Sequence, residues 1–268
     1  MKRPRALIIT GEGLNCERET AYAFELAGAE PCLVHLGELL SRSARLLDYQ
    51  ILAFIGGFSN GDHLGAGTIQ AARFKRRLWE ELKTFTAGGR PVIGICNGFQ
   101  TLVKMGLLPA PQGVQTATIM GNDSGRFEDR WVQLVLEPRS PCIWTRGLAS
   151  LFLPVRHGEG KFYAEDPALI PALLRGHQVV ARYAAQGPSG ELTPTMAYPA
   201  NPNGSLEAIA GLCDLGGTIF GLMPHPEAYL SPYNHPSWTR AGALGVKLPA
   251  EGEGVALFRN AVAHVRES

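Results

Sequence analysis

No stretch of this 268-residue chain is apolar for long enough to span a membrane; the longest are strand-sized. Excess charge of either sign is missing too. Lys and Arg number 25 against 24 Asp and Glu, a net charge of +1, with no long basic or acidic run. No electrostatic footprint for nucleic acid or a membrane surface is left. Cysteine is scarce and odd in number: Cys16, Cys32, Cys96, Cys142 and Cys213, with no C-x-x-C spacing. That pattern fits reduced thiols in a cytoplasmic protein better than disulfides or zinc. No His, Cys and Asp fall at metal-ligand spacing, so no metal site is expected. A phosphate loop is absent as well; Gly11-Glu12-Gly13 follows a strand, but a lone Gly-x-Gly is a weak signal. The basic start, Met1 to Arg5, precedes an apolar run (Ala6 to Thr10) too short for the core of a signal peptide. Without internal repeats or a low-complexity linker, residues 1–268 read as one large α/β domain.

Alternating strand and helix patterns predict a mostly parallel, doubly wound sheet flanked by helices. Strands are expected at 6–10, 31–36 and 50–55. Helices are expected at 16–28, capped by Asn15 and closed by Gly28, and at 68–86, where Leu78, Leu82 and Phe85 share a face. After Gly106 the pattern shifts to short strands at 127–136, 151–157, 179–183 and 206–212. One further helix is expected near 166–174, and a last one over 254–265.

The most informative stretch is Pro91-Val-Ile-Gly-Ile-Cys-Asn-Gly-Phe-Gln-Thr101. A β-branched strand runs into Gly94-Ile95-Cys96-Asn97-Gly98, and Gln100, Leu102, Val103 and Met105 continue as a helix. This is the strand, tight turn and helix of a nucleophile elbow, with Cys where a G-x-S-x-G hydrolase carries Ser. Glycines two residues either side of Cys96 permit close backbone approach. The helix aims unpaired N–H groups and its positive dipole end at the sulfur. A buried, inert cysteine in an ordinary strand-to-helix turn is the competing reading.

Residues 217–227 weigh against it. A short apolar strand ends in Pro224-His225-Pro226-Glu227, where the prolines fix φ on both sides of the histidine. In extended geometry His225 and Glu227 leave the same face, so the carboxylate can orient one imidazole nitrogen and free the other as a base. His157, in His157-Gly158-Glu159-Gly160, has the same i, i+2 relation to Glu159 and competes as base, but its glycines leave it unbraced. His35 reads as a strand-end residue, and His63, His177, His235 and His264 belong to no constellation.

Gly-Ile-Cys96-Asn-Gly-Phe-Gln together with Pro-His225-Pro-Glu227 resembles the class I, or triad, glutamine amidotransferases. The resemblance narrows to the glutaminase subunit or domain of phosphoribosylformylglycinamidine synthase through residues 56–62 (Gly-Gly-Phe-Ser-Asn-Gly-Asp), 157–160 and 199–205 (Pro-Ala-Asn-Pro-Asn-Gly-Ser). Gly65-Ala66-Gly67, Ser124 to Glu128 and Leu257 to Ala261 add to it, so the match spans nearly the whole chain. Asn60 departs from the usual Tyr, and the segments 107–123 and 228–252 look like insertions.

The resemblance implies a glutaminase in which Cys96 attacks, His225 shuttles the proton and Glu227 orients His225. Backbone N–H groups of Gly57 and Asn97 would form the oxyanion hole, and Gln100, Phe58 and Ser59 would contact L-glutamine. It further implies a synthetase subunit as partner, with a small accessory subunit as a further candidate. ATP and Mg would be held by the synthetase, and this chain would carry no cofactor. Two other readings stay open on the residues alone: another Cys-His-Glu hydrolase of the same fold, such as a γ-glutamyl hydrolase, or a catalytically silent regulatory subunit.

Overall fold

A computed structural model describes residues 3–267. Its strands are β1 (Arg5–Thr10), β2 (Glu30–His35), β3 (Ile51–Phe54), β4 (Val92–Ile95), β5 (Thr118–Gly121) and β6 (Glu128–Leu136). They continue as β7 (Ser150–His157), β8 (Glu159–Tyr163), β9 (Val179–Gln186), β10 (Leu192–Pro194), β11 (Ile209–Cys213) and β12 (Ile219–Leu222). The helices are α1 (Glu17–Leu26), α2 (Leu36–Leu40), α3 (Thr68–Arg77), α4 (Trp79–Ala87), α5 (Asn97–Met105), α6 (Leu169–Arg175), α7 (Trp238–Ala243) and α8 (Val255–Glu267).

The principal sheet runs β2-β1-β3-β4-β12-β11-β9-β6-β7, with β10 alongside β9. From β2 to β12 it is parallel and helix-flanked, as the sequence pattern leads one to expect; from β12 to β7 neighbouring strands are antiparallel. Parallel strands covered by helices read as continuous apolar runs, and β3, β4 and β12 are buried throughout. Phe24 of α1 meets Phe258 of α8 edge-on at 5.0 Å, and Phe54 of β3 meets Phe74 of α3 at 4.9 Å.

Although β7 ends the row, the His225 N–H beyond β12 donates to Pro154 O of β7 at 2.8 Å. Strands lie roughly 4.8 Å apart, so a flat sheet would hold these two strands roughly 20 Å or more from each other. The antiparallel half therefore curls back on itself and brings its last strand to the site.

Several local expectations change. The helix expected over 68–86 is two, broken at Leu78, whose φ of −125° and ψ of 2° are not helical. Phe74, Leu78, Leu82 and Phe85 are all buried, so the apolar spacing continues across the kink and conceals it. Asn15 does not cap α1; Cys16 occupies that position, without a side-chain capping bond. Gly28 follows α1 with φ of +87°, as a helix-closing glycine should. His35 caps α2, accepting from Gly37 N at 3.0 Å. The 228–252 segment holds α7, a short helix that buries none of its residues. Within 107–123, β5 pairs with β8 in a separate two-stranded ribbon. No helix among the described residues is long and apolar enough to cross a membrane.

Candidate active site

Cys96 sits between β4 and α5 with φ of 51° and ψ of −107°, a conformation that costs an L-residue roughly 1–3 kcal/mol. The surroundings enforce it. A Cβ on Gly98 would lie 1.9 Å from Phe54 O, and one on Gly94 would lie 2.8 Å from Gly98 O. Glycine at both places lets α5 settle onto β3 and β4, the close approach expected of an elbow. Cys96 N donates to Leu222 O of β12 at 2.9 Å, and its thiol reaches Arg156 O of β7 at 3.7 Å.

His225 and Glu227 follow β12, whose register against β4 pairs Leu222 with Ile95 and so delivers them beside the elbow. His225 Nδ1 and Glu227 Oε1 are 2.6 Å apart, and both side chains are almost wholly buried. His225 Nε2 is buried without a hydrogen-bond partner. Burial opposes the charged imidazolium, but Glu227, followed by the Cys96 and Cys16 sulfurs, outweighs it and holds His225 well above the usual histidine range. The site is thus built to accept a proton onto His225 and to keep the resulting charge neutralised.

His157 is a different kind of histidine. Its Nδ1 lies 3.2 Å from Asn122 Oδ1, and burial, then the nearby His225, lowers it to about 3. It stays neutral at physiological pH and does not accept a proton as His225 does. Gly160 is needed beneath it, since a Cβ there would lie 2.3 Å from the His157 ring. The residues 199–205 brace this wall: Ser205 Oγ accepts from Phe162 N at 2.9 Å and donates to Gly160 O at 3.2 Å, while Asn203 donates to Tyr183 Oη at 3.0 Å.

Cys96 opens onto a cavity of about 130 Å3 whose wall includes Gly57, Phe58, Gln100, Arg156, His157 and Glu159. Gly57 reaches it from the loop after β3 at φ of +137°, and a Cβ there would lie 2.7 Å from Gly13 O and from Leu14 Cα. Only glycine fits that position. Asn97 is the first residue of α5, so its N–H has no partner within the helix. Gln100 donates to Glu159 O at 2.6 Å, which fixes its amide at the wall. Phe58 lines the cavity, half exposed and 6.3 Å from the Phe127 ring. Ser59 does not line it; the turn that follows Phe58 tucks its hydroxyl into the interior. Asn60, next in that turn, has φ of 54°, a left-handed geometry that Asn tolerates better than most residues.

Three groups at this cavity were not singled out as ligands by the sequence pattern: Asp62, Arg156 and Glu159. Burial raises the Asp62 carboxyl, partly offset by the Asn97 side chain, which donates to it at 3.1 Å. A cation and two acids around a small cavity suit a zwitterionic amino acid. The sequence signal lies in Gly-Asp62, a family-like stretch, and in Gly158-Glu159, where the pattern offers Glu159 as a partner of His157 and not as a ligand of the substrate. Cys16 is a further surprise. Its sulfur, a nitrogen of His225 and an oxygen of Glu227 all lie within 4.8 Å of one another. Spacing along the chain could not show this, because the first and last of the parallel elements meet only through the sheet.

A family model described as the CobB/CobQ-like glutamine amidotransferase domain matches residues 3–265. The phosphoribosylformylglycinamidine synthase subunit PurQ of Dehalococcoides mccartyi is 45% identical over 268 residues, covering 100% of both chains. The subunit of the same name from Methanococcus maripaludis is 40% identical over 239 residues, 88% of this chain and 87% of that one. Among solved structures, PurLQS from Thermotoga maritima superposes with a TM-score of 0.68 at 28% identity, covering 98% of each chain. The chain belongs to the CobB/CobQ-like glutamine amidotransferase family and, within it, to the PurQ subunits of phosphoribosylformylglycinamidine synthase.

Proposed function

We propose that Cys96, His225 and Glu227 hydrolyse L-glutamine and that the ammonia passes to a synthetase subunit, which makes formylglycinamidine ribonucleotide from formylglycinamide ribonucleotide. The observation that carries this reading is the buried His225–Glu227 pair, with Nδ1 committed at 2.6 Å and Nε2 uncommitted, next to a strained cysteine elbow. Glu227 holds the imidazole in the tautomer whose Nε2 can take a proton. That nitrogen removes the Cys96 thiol proton as the sulfur attacks the side-chain amide carbon of glutamine. The N–H groups of Gly57 and Asn97 take the oxyanion. Collapse breaks the C–N bond, His225 returns the proton to the departing nitrogen, and ammonia leaves a γ-glutamyl thioester. Water, deprotonated by His225, then releases glutamate. Gln100 and Phe58 hold the substrate, with Arg156 opposite its carboxylate and Asp62 or Glu159 near its ammonium.

The partner is the synthetase subunit, with a small accessory subunit as a further component; ATP and Mg belong to the partner, and the assembly works in the cytoplasm. Ammonia released into water would be protonated and lost, so hydrolysis is useful only when the two sites are coupled. Cys96→Ala in the assembled complex is expected to abolish glutamine-dependent amidine formation while ammonium salt still supports it. Loss of both activities, or retention of both, would remove Cys96 from the role assigned to it.

A further inference from the structure

A second cavity, of about 110 Å3, adjoins the one at Cys96 and shares Gly57, Phe58 and Arg156 with it. It opens instead onto Asn15, Cys16 and His225. His225 lines this second cavity and not the first, so the catalytic imidazole is open on the side that carries Cys16, a thiol that glutamine hydrolysis does not use. Gly56 keeps the ground between them clear, since a Cβ there would lie 2.8 Å from His225 Cε1 and 3.0 Å from Cys16 Sγ. Cys16, His225 and Glu227 each offer one ligand atom, all within 4.8 Å of one another, and all three residues are at least nine-tenths buried. His225 Nε2 and Glu227 Oε2 have no hydrogen-bond partner although both are buried. Buried polar atoms of this kind normally find one.

We propose that Cys16, His225 and Glu227 form an inhibitory site for a thiophilic divalent cation of the zinc class. Sulfur, imidazole nitrogen and carboxylate oxygen are the donors zinc prefers, and they disfavour magnesium and calcium. On binding, the Cys16 thiol, and the imidazole where it is charged, release their protons to solvent; three protein atoms ligate the cation and a water completes the tetrahedron. Ligand atoms around such a centre stand roughly 3.5 Å apart, and these three already lie within 4.8 Å of one another, so the set needs only a small contraction to close. The cation binds through His225 Nε2, the ring nitrogen left without a partner, and so takes the lone pair that would receive the Cys96 proton. Occupancy of the site is independent of the function proposed above; inhibition by it rests on His225 being the base of that reaction.

The test uses Co2+ as a spectroscopic probe and Zn2+ as inhibitor. In the Cys96→Ala chain, Co2+ should give a near-ultraviolet sulfur-to-metal band, and further substitution Cys16→Ser should abolish it. Zn2+ should also protect Cys16 from alkylation in the Cys96→Ala chain, mapped by peptide, a readout that needs no change at Cys16. In the complex with the synthetase subunit, Zn2+ should inhibit glutaminase reversibly by chelator, and Mg2+ should not. With each rate referred to its own metal-free value, Cys16→Ser should raise the Zn2+ midpoint by at least the ~10-fold that even outer-shell changes cost. A cobalt band indifferent to Cys16, unprotected Cys16, or an unchanged midpoint overturns the site. A complex without glutaminase activity in the absence of metal would instead sink the functional reading, and the cobalt and alkylation arms would still decide the site.

Discussion

Two buried histidines in one site are driven in opposite directions, and each direction has its own consequence. Glu227, 2.6 Å away, orients the His225 imidazole and favours its charged form, whereas the imidazole itself moves the proton, so removing the imidazole should cost more than weakening its orienter. His225→Ala is expected to lower kcat by ~10²–10⁴, the worth of a general base, and Glu227→Gln by less, measured as glutamate release in the complex. His157 refuses its proton: its folded value is about 3, against ~6.5 in the unfolded chain. Between these values the unfolded chain binds a proton that the folded one does not, so stability falls as pH drops through that window. His157→Gln should remove this dependence. Urea unfolding at pH 4.5 and 6.5 should show the wild type losing roughly 2–3 kcal/mol more than the variant between the two. Equal losses would mean that His157 titrates freely. At this scale the sequence was generous with Cys96, His225 and Glu227, because strand, turn and proline constraints are local. It was silent on Cys16 and Arg156, whose neighbours come from distant strands, and it could not show that the turn after Phe58 folds Ser59 inward, away from the cavity lining.

Among the elements, the elbow depends on how closely α5 lies on β3. A methyl group on Gly98 would meet Phe54 O at 1.9 Å, so Gly98→Ala must push the helix and Cys96 outward. Such overpacking costs about 1–3 kcal/mol. Calorimetry should show a lower Tm and the complex a reduced glutaminase rate. Gly242→Ala in α7, where no atom lies within 4 Å, should leave both unchanged. The parallel strands and α1, α5 and α8 were readable from apolar runs and helical spacing. The break at Leu78 was not, because buried residues continue in register on both sides of it. Nor was α7 evident: with no buried face it carries no periodic signal. Of the antiparallel strands, β6, β7, β9 and β11 could be located but not ordered, since their pairing depends on contacts between distant parts of the chain, and the short β5, β8 and β10 were not located.

For the molecule as a whole, the curl of the sheet determines when the site can exist at all. Cys96 and His225 come from neighbouring parallel strands, yet each is also tied to β7, through Arg156 O and Pro154 O. The row of strands from β12 round to β7 must therefore have its pairing in place before the thiol and imidazole acquire their native surroundings. Pairing between strands distant in sequence is the slow part of folding. In refolding from urea, far-ultraviolet circular dichroism should recover first, and labelling of Cys96 by a glutamine-like electrophile should lag behind it. Simultaneous recovery would show that the parallel half alone makes the thiol reactive. If the lag is found, catalytic competence in this chain is a late event, acquired when the last strand arrives, and an incompletely folded subunit releases no ammonia.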